Sequence, residues 1–122
     1  AKNLCDFAVA GDACKVNRQL AAFLEAAHAA GKPVGAMCIA PVLLARVFGR
    51  ELEPELTIGN DPTTAQMVAK MGARHVECPA AGIVVDEHNR FVTTPAYMLA
   101  GNIGEVFAGA DAFVSRLLEL CG

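Results

Sequence analysis

Cys38 is the residue whose neighbours most clearly carry chemistry. It joins the apolar run Pro33-Val34-Gly35-Ala36-Met37 to a stretch that opens with Pro41. The run is too short for a helix of its own and reads as a buried strand. Pro41 suits the first turn of a helix, where a missing N–H is not needed. Val42, Leu43, Leu44, Arg46, Val47 and Phe48 continue that helix. A cysteine on so sharp a strand–turn–helix corner needs small residues two before and two after it. Ala36 and Ala40 hold those positions, which is the logic of a nucleophile elbow. A helix start presents unpaired N–H groups and the positive end of the dipole. That favours a thiolate, the nucleophilic form. The Ile39 N–H would donate to an oxyanion formed beside the sulfur. The chemistry indicated is covalent catalysis by sulfur; the bland alternative is a small buried hydrophobe.

The other reactive side chains form no comparable group. Cys5, Cys14, Cys38, Cys78 and Cys121 are odd in number and contain no C-x-x-C pair. Neither a disulfide scaffold nor a zinc site is indicated, and reduced thiols in an intracellular compartment are the simplest reading. His28, His75 and His88 are scattered and read as structural or surface residues. Glu87-His88 has the residue types of an amidotransferase pair but sits in a segment of turn composition.

Around the elbow the chain alternates helices with short strands. Residues 1–13 read as loop, with a turn at Gly11-Asp12 and Asp12 as cap of the next helix. Val16, Leu20, Phe23, Leu24 and Ala27 give that helix a 3.6-residue period, and Gly31 ends it. Gly49 to Glu55 reads as a surface loop and Leu56 to Gly59 as a second parallel strand. Asp61-Pro62 starts a helix that stops at Gly72. His75 to Cys78 reads as a strand. Ile83-Val84-Val85 and Phe91-Val92-Thr93 flank a hairpin turn. Ile103, Val106, Phe107, Ala110, Val114, Leu117 and Leu118 mark a final amphipathic helix. The pattern predicts a layered α/β domain with a mostly parallel sheet.

The 122 residues suit one domain at most. With 54% apolar and 19% charged residues, a sheet covered on both faces is expected, or a surface meant for another chain. A net charge of −3, with no basic stripe, argues against nucleic-acid binding. The uncharged run from Lys32 to Arg46 holds two prolines and is too short to enter a bilayer as a span. The chain opens on Ala1-Lys2-Asn3-Leu4, which reads as the interior of a longer polypeptide.

Gly31-Lys32-Pro33-Val34-Gly35, Cys38-Ile39-Ala40-Pro41 and Val92-Thr93-Thr94-Pro95-Ala96-Tyr97-Met98 together resemble the ElbB family of the ThiJ/PfpI superfamily. Its members are also called glutamine amidotransferase-like proteins. The resemblance implies a flavodoxin-like three-layer sandwich. Residues 1–122 would be the C-terminal portion of one class I amidotransferase-like domain whose N-terminal strands lie outside this chain. It implies Cys38 as the nucleophile and cofactor-independent glyoxalase or deglycase chemistry on a small aldehyde, glyoxal to glycolate. The alternative it leaves is an inactive subunit with an assembly role. A homo-oligomer or membership of a larger assembly is expected, in the bacterial cytoplasm or in a mitochondrion or plastid. Related enzymes carry a histidine before the proline that follows the next strand; Asp61 stands there. Asp61 and Tyr97 are the candidate pocket residues, the latter because it follows a strand end where α/β sites gather.

Overall fold

The computed structural model describes residues 1–122. Its first helix, α1 (Phe7–Ala10), lies in the segment read as loop and runs into a 3₁₀ turn at Gly11–Ala13. Helix α2 (Arg18–Ala29) begins later than expected, because Val16 is held extended by an antiparallel bridge to Cys5. Its cap is therefore Asn17, whose Oδ1 accepts the Leu20 N–H at 3.0 Å, and not Asp12. At the far end Gly31 takes φ +74° while Lys32 N donates to Ala27 O. That left-handed step suits glycine.

Strand β1 (Val34–Met37) follows, then α3 (Pro41–Leu52). The expected loop after Phe48 is instead the last turn of α3. Gly49 is pressed against the backbone of Met71 and lets the two segments meet. Strand β2 (Glu55–Leu56) and β3 (Arg74–His75) pair in parallel, with α4 (Pro62–Lys70) between them. The strand expected at 75–78 spans only Arg74–His75, because its partner β2 ends at Leu56 and the next N–H groups, of Thr57 and Ile58, go to the Thr93 and His75 side chains. Strands β4 (Val84–Asp86) and β5 (Phe91–Thr94) form the predicted antiparallel hairpin. Helix α5 (Ile103–Cys121) closes the chain, its start capped by Asn102 accepting from Glu105 N at 2.9 Å.

The strands make two small ladders where one mostly parallel sheet was expected. One has the order β1-β5-β4, with β1 parallel and β4 antiparallel to β5; the other is β2-β3. Side chains join the two in place of main-chain pairing. Thr93 Oγ1 accepts the Thr57 N–H at 3.0 Å, and Asp86 Oδ2 accepts the Glu55 N–H at 2.9 Å. The architecture is thus α/β with mixed ladders. Val42, Leu44, Phe48, Leu56, Ile58, Val68 and Phe91 form the core beside them. His28 joins it, its ring 5.3 Å from Phe48 and 5.5 Å from Phe91. No helix is long and apolar enough to cross a membrane.

Asp86 is a buried carboxylate that also accepts the Asn89 N–H and Nδ2. Burial pushes its carboxyl up, but the bonds from Asn89 and Glu55, aided by His88, outweigh burial and hold it below the usual range. A depressed folded pKa means stability present above the unfolded value, about 3.9, and lost as pH falls through the folded value. Asp86→Asn should therefore destabilise the fold at pH 7 by about 1–3 kcal/mol. The gap to wild type should narrow below about pH 4. Denaturant titrations of both proteins across pH 2–7 check this, and a gap that stays constant with pH would refute it.

Candidate active site

Two strained residues stand at the carboxyl ends of neighbouring parallel strands. Cys38, directly after β1, has φ +63°, and Ala96, two residues after β5, has φ +47°. Left-handed backbone costs an L-residue with a Cβ about 1–2 kcal/mol, and such strain gathers at functional sites. Cys38 is pinned there by its N–H, which donates to Thr94 O at 3.0 Å. The corner tightens at once: Ala40 N donates to Met37 O, Val42 N to Ile39 O and Leu43 N to Ala40 O. Pro41 has no N–H. Between Cys38 and Leu43 only the Ile39 N–H is left without a backbone acceptor, so it is the one amide at the elbow free to serve an oxyanion. The helix start is thus less generous with donors than the sequence suggests, because its first turn spends them internally.

Cys38 is half-buried, whereas Cys14 and Cys78 are buried. Burial pushes both of those thiols up, for Cys14 with the charges of Cys5 and Asp6 adding to it and that of Arg46 opposing. Cys78 also donates to Pro79 O at 3.4 Å. Neither is suited to act as a thiolate.

The loops after β2, β3 and β5 meet at a cleft that Cys38 does not line. Gly59, at φ +105°, lies where a Cβ would sit 3.4 Å from both Pro95 and Leu99. An open cleft of about 300 Å³ is lined there by Asn60, Glu77, Cys78, Pro79 and Leu99. A second hollow, about 140 Å³, includes Ile39 and Val42 on one wall and Cys5 and Phe7 on the other. Sequence reasoning passed over Asn60 and Glu77. Neither carried a signal of its own: Asn60 reads as part of a helix start and Glu77 as part of a strand.

A third, apolar hollow of about 160 Å³ lies beside Val34 and Ala36, and Cys38, Asp61 and Tyr97 line none of the three. Asp61 caps α4, accepting the Thr64 N–H at 2.9 Å and its hydroxyl at 2.6 Å; these two bonds lower its pKa. Tyr97 occupies the 3₁₀ turn Ala96–Met98 and is 67% exposed. His75 is tied into the fold, its Nε2 accepting the Ile58 N–H at 3.3 Å. Burial lowers its pKa, which keeps that nitrogen an acceptor. Glu87 pairs with Arg116 of α5, so the Glu87-His88 pair stays with the hairpin. No cluster of three or more His, Cys, Asp or Glu side chains is placed to hold a metal ion.

An α/β frame with a strained cysteine at a strand–turn–helix corner has the geometry of a nucleophile elbow. No family model matches the chain, but individual proteins do. It is 39% identical over its whole length to the human glutamine amidotransferase-like class 1 domain-containing protein 3, mitochondrial. It is equally similar to the mitochondrial ES1 protein homologue of Rattus norvegicus. It is 35% identical over 80% of its length to the mitochondrial ES1 protein of Danio rerio. Among solved structures it superposes whole, with a TM-score of 0.87 and 26% identity, on 55% of an isoprenoid biosynthesis protein with an amidotransferase-like domain from Ehrlichia chaffeensis. The chain belongs to this ES1/ElbB-like family of amidotransferase-like class 1 proteins. It spans about half the length of the mammalian relatives, 48% of each.

Proposed function

We propose that Cys38 is the nucleophile of a cofactor-independent, glyoxalase- or deglycase-type lyase acting on small reactive aldehydes, with glyoxal to glycolate as the model reaction. The observation that carries this reading is the φ of +63° at Cys38, held by the bond to Thr94 O. Glu53, at a helix end, and Arg90, in the hairpin turn, share a positive φ; Cys38 differs in standing beside an amide, that of Ile39, with no backbone acceptor.

The Cys38 thiolate attacks one aldehyde carbon of glyoxal, forming a C–S bond, and the resulting alkoxide is protonated to a hemithioacetal. The Ile39 N–H, which has no backbone acceptor, would donate to the oxyanion. A base then removes the proton from the sulfur-bearing carbon, and a proton is returned at the neighbouring carbonyl carbon. The product is a glycolyl thioester. Water cleaves it to glycolate and free thiol, so glyoxal and water balance glycolate and one proton with no external oxidant.

The same reading makes the fold a flavodoxin-like three-layer sandwich. These 122 residues form the C-terminal portion of a class I amidotransferase-like (ThiJ/PfpI) domain. It also makes the protein a homo-oligomer or a subunit of a larger assembly, working in a reducing compartment, as the mitochondrial names of the animal relatives suggest. A second reading, an inactive assembly subunit, draws on Asp61. Where related enzymes carry a histidine, this carboxylate is exposed and committed to capping α4.

Incubating the natural gene product with ¹³C-glyoxal and following it by NMR separates the two. The enzyme reading expects labelled glycolate and a modified Cys38 peptide by mass spectrometry. No glycolate, with the five thiols labelled equally, would leave the assembly reading.

A further inference from the structure

Two consecutive threonines end β5, and both are fully buried. Neighbours on a strand face opposite ways, and each hydroxyl is bonded on its own side. Thr93 Oγ1 accepts the Thr57 N–H and ties β5 to the segment after β2. The Thr94 hydroxyl donates to Gly82 O at 2.7 Å.

Gly82 belongs to a tight turn, its N–H donating to Pro79 O at 2.9 Å. A Cβ on Gly82 would lie 2.9 Å from Cys78 Sγ and 3.1 Å from the Pro79 ring, so the turn is packed against itself. Cys78 and Pro79 are walls of the 300 Å³ cleft. Helix α5 closes on the same point. A Cβ on Gly109 would lie 2.7 Å from Ala80 O and 3.1 Å from Thr94 Oγ1. The helix therefore meets both the turn and the hydroxyl through a residue without a side chain.

The main chain of Thr94 serves the elbow. Thr94 is the last residue in register with β1, opposite Met37, and its carbonyl accepts the Cys38 N–H at 3.0 Å. Pro95 follows, and then Ala96 at φ +47°. The β1–β5 register ends at this pair, so the Thr94 side chain is what anchors the carbonyl on the side away from the ladder.

We propose that Thr94 is the positioning residue of the elbow: its hydroxyl, seated on Gly82 O against Gly109, sets the place from which its carbonyl holds Cys38 at φ +63°. The catalytic consequence rests on the Cys38 reading above; the geometry does not. Without the hydroxyl, Gly82 O loses its donor and the turn is no longer tied to the strand end. The strain at Cys38 and Ala96 then has a way to relax. The same bond links the elbow to the cleft wall at Cys78 and Pro79, which no main-chain ladder does.

Four variants of the natural gene product test this. Thr94→Val and Thr94→Ala remove the hydroxyl, Thr94→Ser keeps it, and Thr93→Val removes the other buried hydroxyl of the strand as a control. The readouts are the Cα and Cβ chemical shifts of Cys38, which report its backbone conformation, and kcat with glyoxal. Thr94→Val and Thr94→Ala should move the Cys38 shifts away from left-handed values and lower kcat by about 10–100-fold, as misplacing a reacting group does. Thr94→Ser should restore both. Thr93→Val should lower the melting temperature while leaving both readouts at wild-type values. Where the valine variant does not fold, the alanine variant, which adds no bulk, gives the reading. Wild-type Cys38 shifts in the hydroxyl-free variants would overturn the proposal. So would a serine variant as impaired as the alanine one, or equal changes at Cys38 in Thr93→Val. Displaced Cys38 shifts in a protein whose wild type has no glyoxal turnover would sink the Cys38 chemistry and leave the positioning role standing.

Discussion

Cys38→Ala and Cys38→Gly variants of the natural gene product should both lose glyoxal turnover, yet differ in stability. Neither can form the hemithioacetal, so kcat/KM should fall by at least about 10³-fold, as expected when a covalent route is removed. The two differ by one methyl group on a backbone held at φ +63°. Glycine populates that region without a Cβ clash, while alanine keeps the strain. The glycine variant should therefore be the more stable by about 1 kcal/mol, against the usual preference for alanine. Denaturant unfolding compares them, and steady-state glycolate formation reads the activity. Turnover retained in either variant would remove Cys38 from the chemistry. An alanine variant equal in stability to the glycine variant would mean the elbow relaxes once the thiol is gone. Strain would then no longer be an argument for function.

Gly49→Ala should be the most damaging single-methyl change in the chain. In an ordinary exposed helix that substitution stabilises by up to about 1 kcal/mol. Here a Cβ would lie 2.9 Å from the Met71 carbonyl carbon and closer still to its oxygen. The obstacle is backbone, which cannot swing away as a side chain can. Gly72 forms the other side of this approach, its own Cβ position lying 2.8 Å from Gly49 C and O at φ +103°. α3 and the end of α4 would have to part, opening the core at Val68 and Met71. A loss of about 2–3 kcal/mol is expected by analogy with overpacked cores. Chemical denaturation measures it, and a variant as stable as wild type would show that the contact is slack. Gly35 is a milder case, because the atoms that a Cβ would meet belong to the rings and methyls of Phe113 and Leu117.

The elbow was legible because its signals are local. A short apolar run, small residues around one cysteine and a proline at the next helix start act through neighbours in sequence, and β1, the turn and α3 follow them. Asp61-Pro62, the hairpin around Asp86–Arg90 and the period of α5 are local in the same way. Misread segments were those where a distant partner decides. Val16 is drawn out of α2 by Cys5, and Gly49 is kept inside α3 by Met71. The split of the sheet into two ladders depends on Thr93 and Asp86 side chains reaching 31 and more residues along the chain.

The candidate site divides along the same line. Sequence alone determined which residue is the candidate nucleophile and which turn carries it, since residue type and small-neighbour spacing are covalent facts. Only the tertiary structure decided that the Ile39 amide remains free while its neighbours are spent, because that depends on which carbonyls fold back within reach. It alone put Asn60 and Glu77 around one cleft and committed Asp61 to a helix cap. Those outcomes rest on contacts between segments far apart in the chain, which periodicity and propensity do not encode.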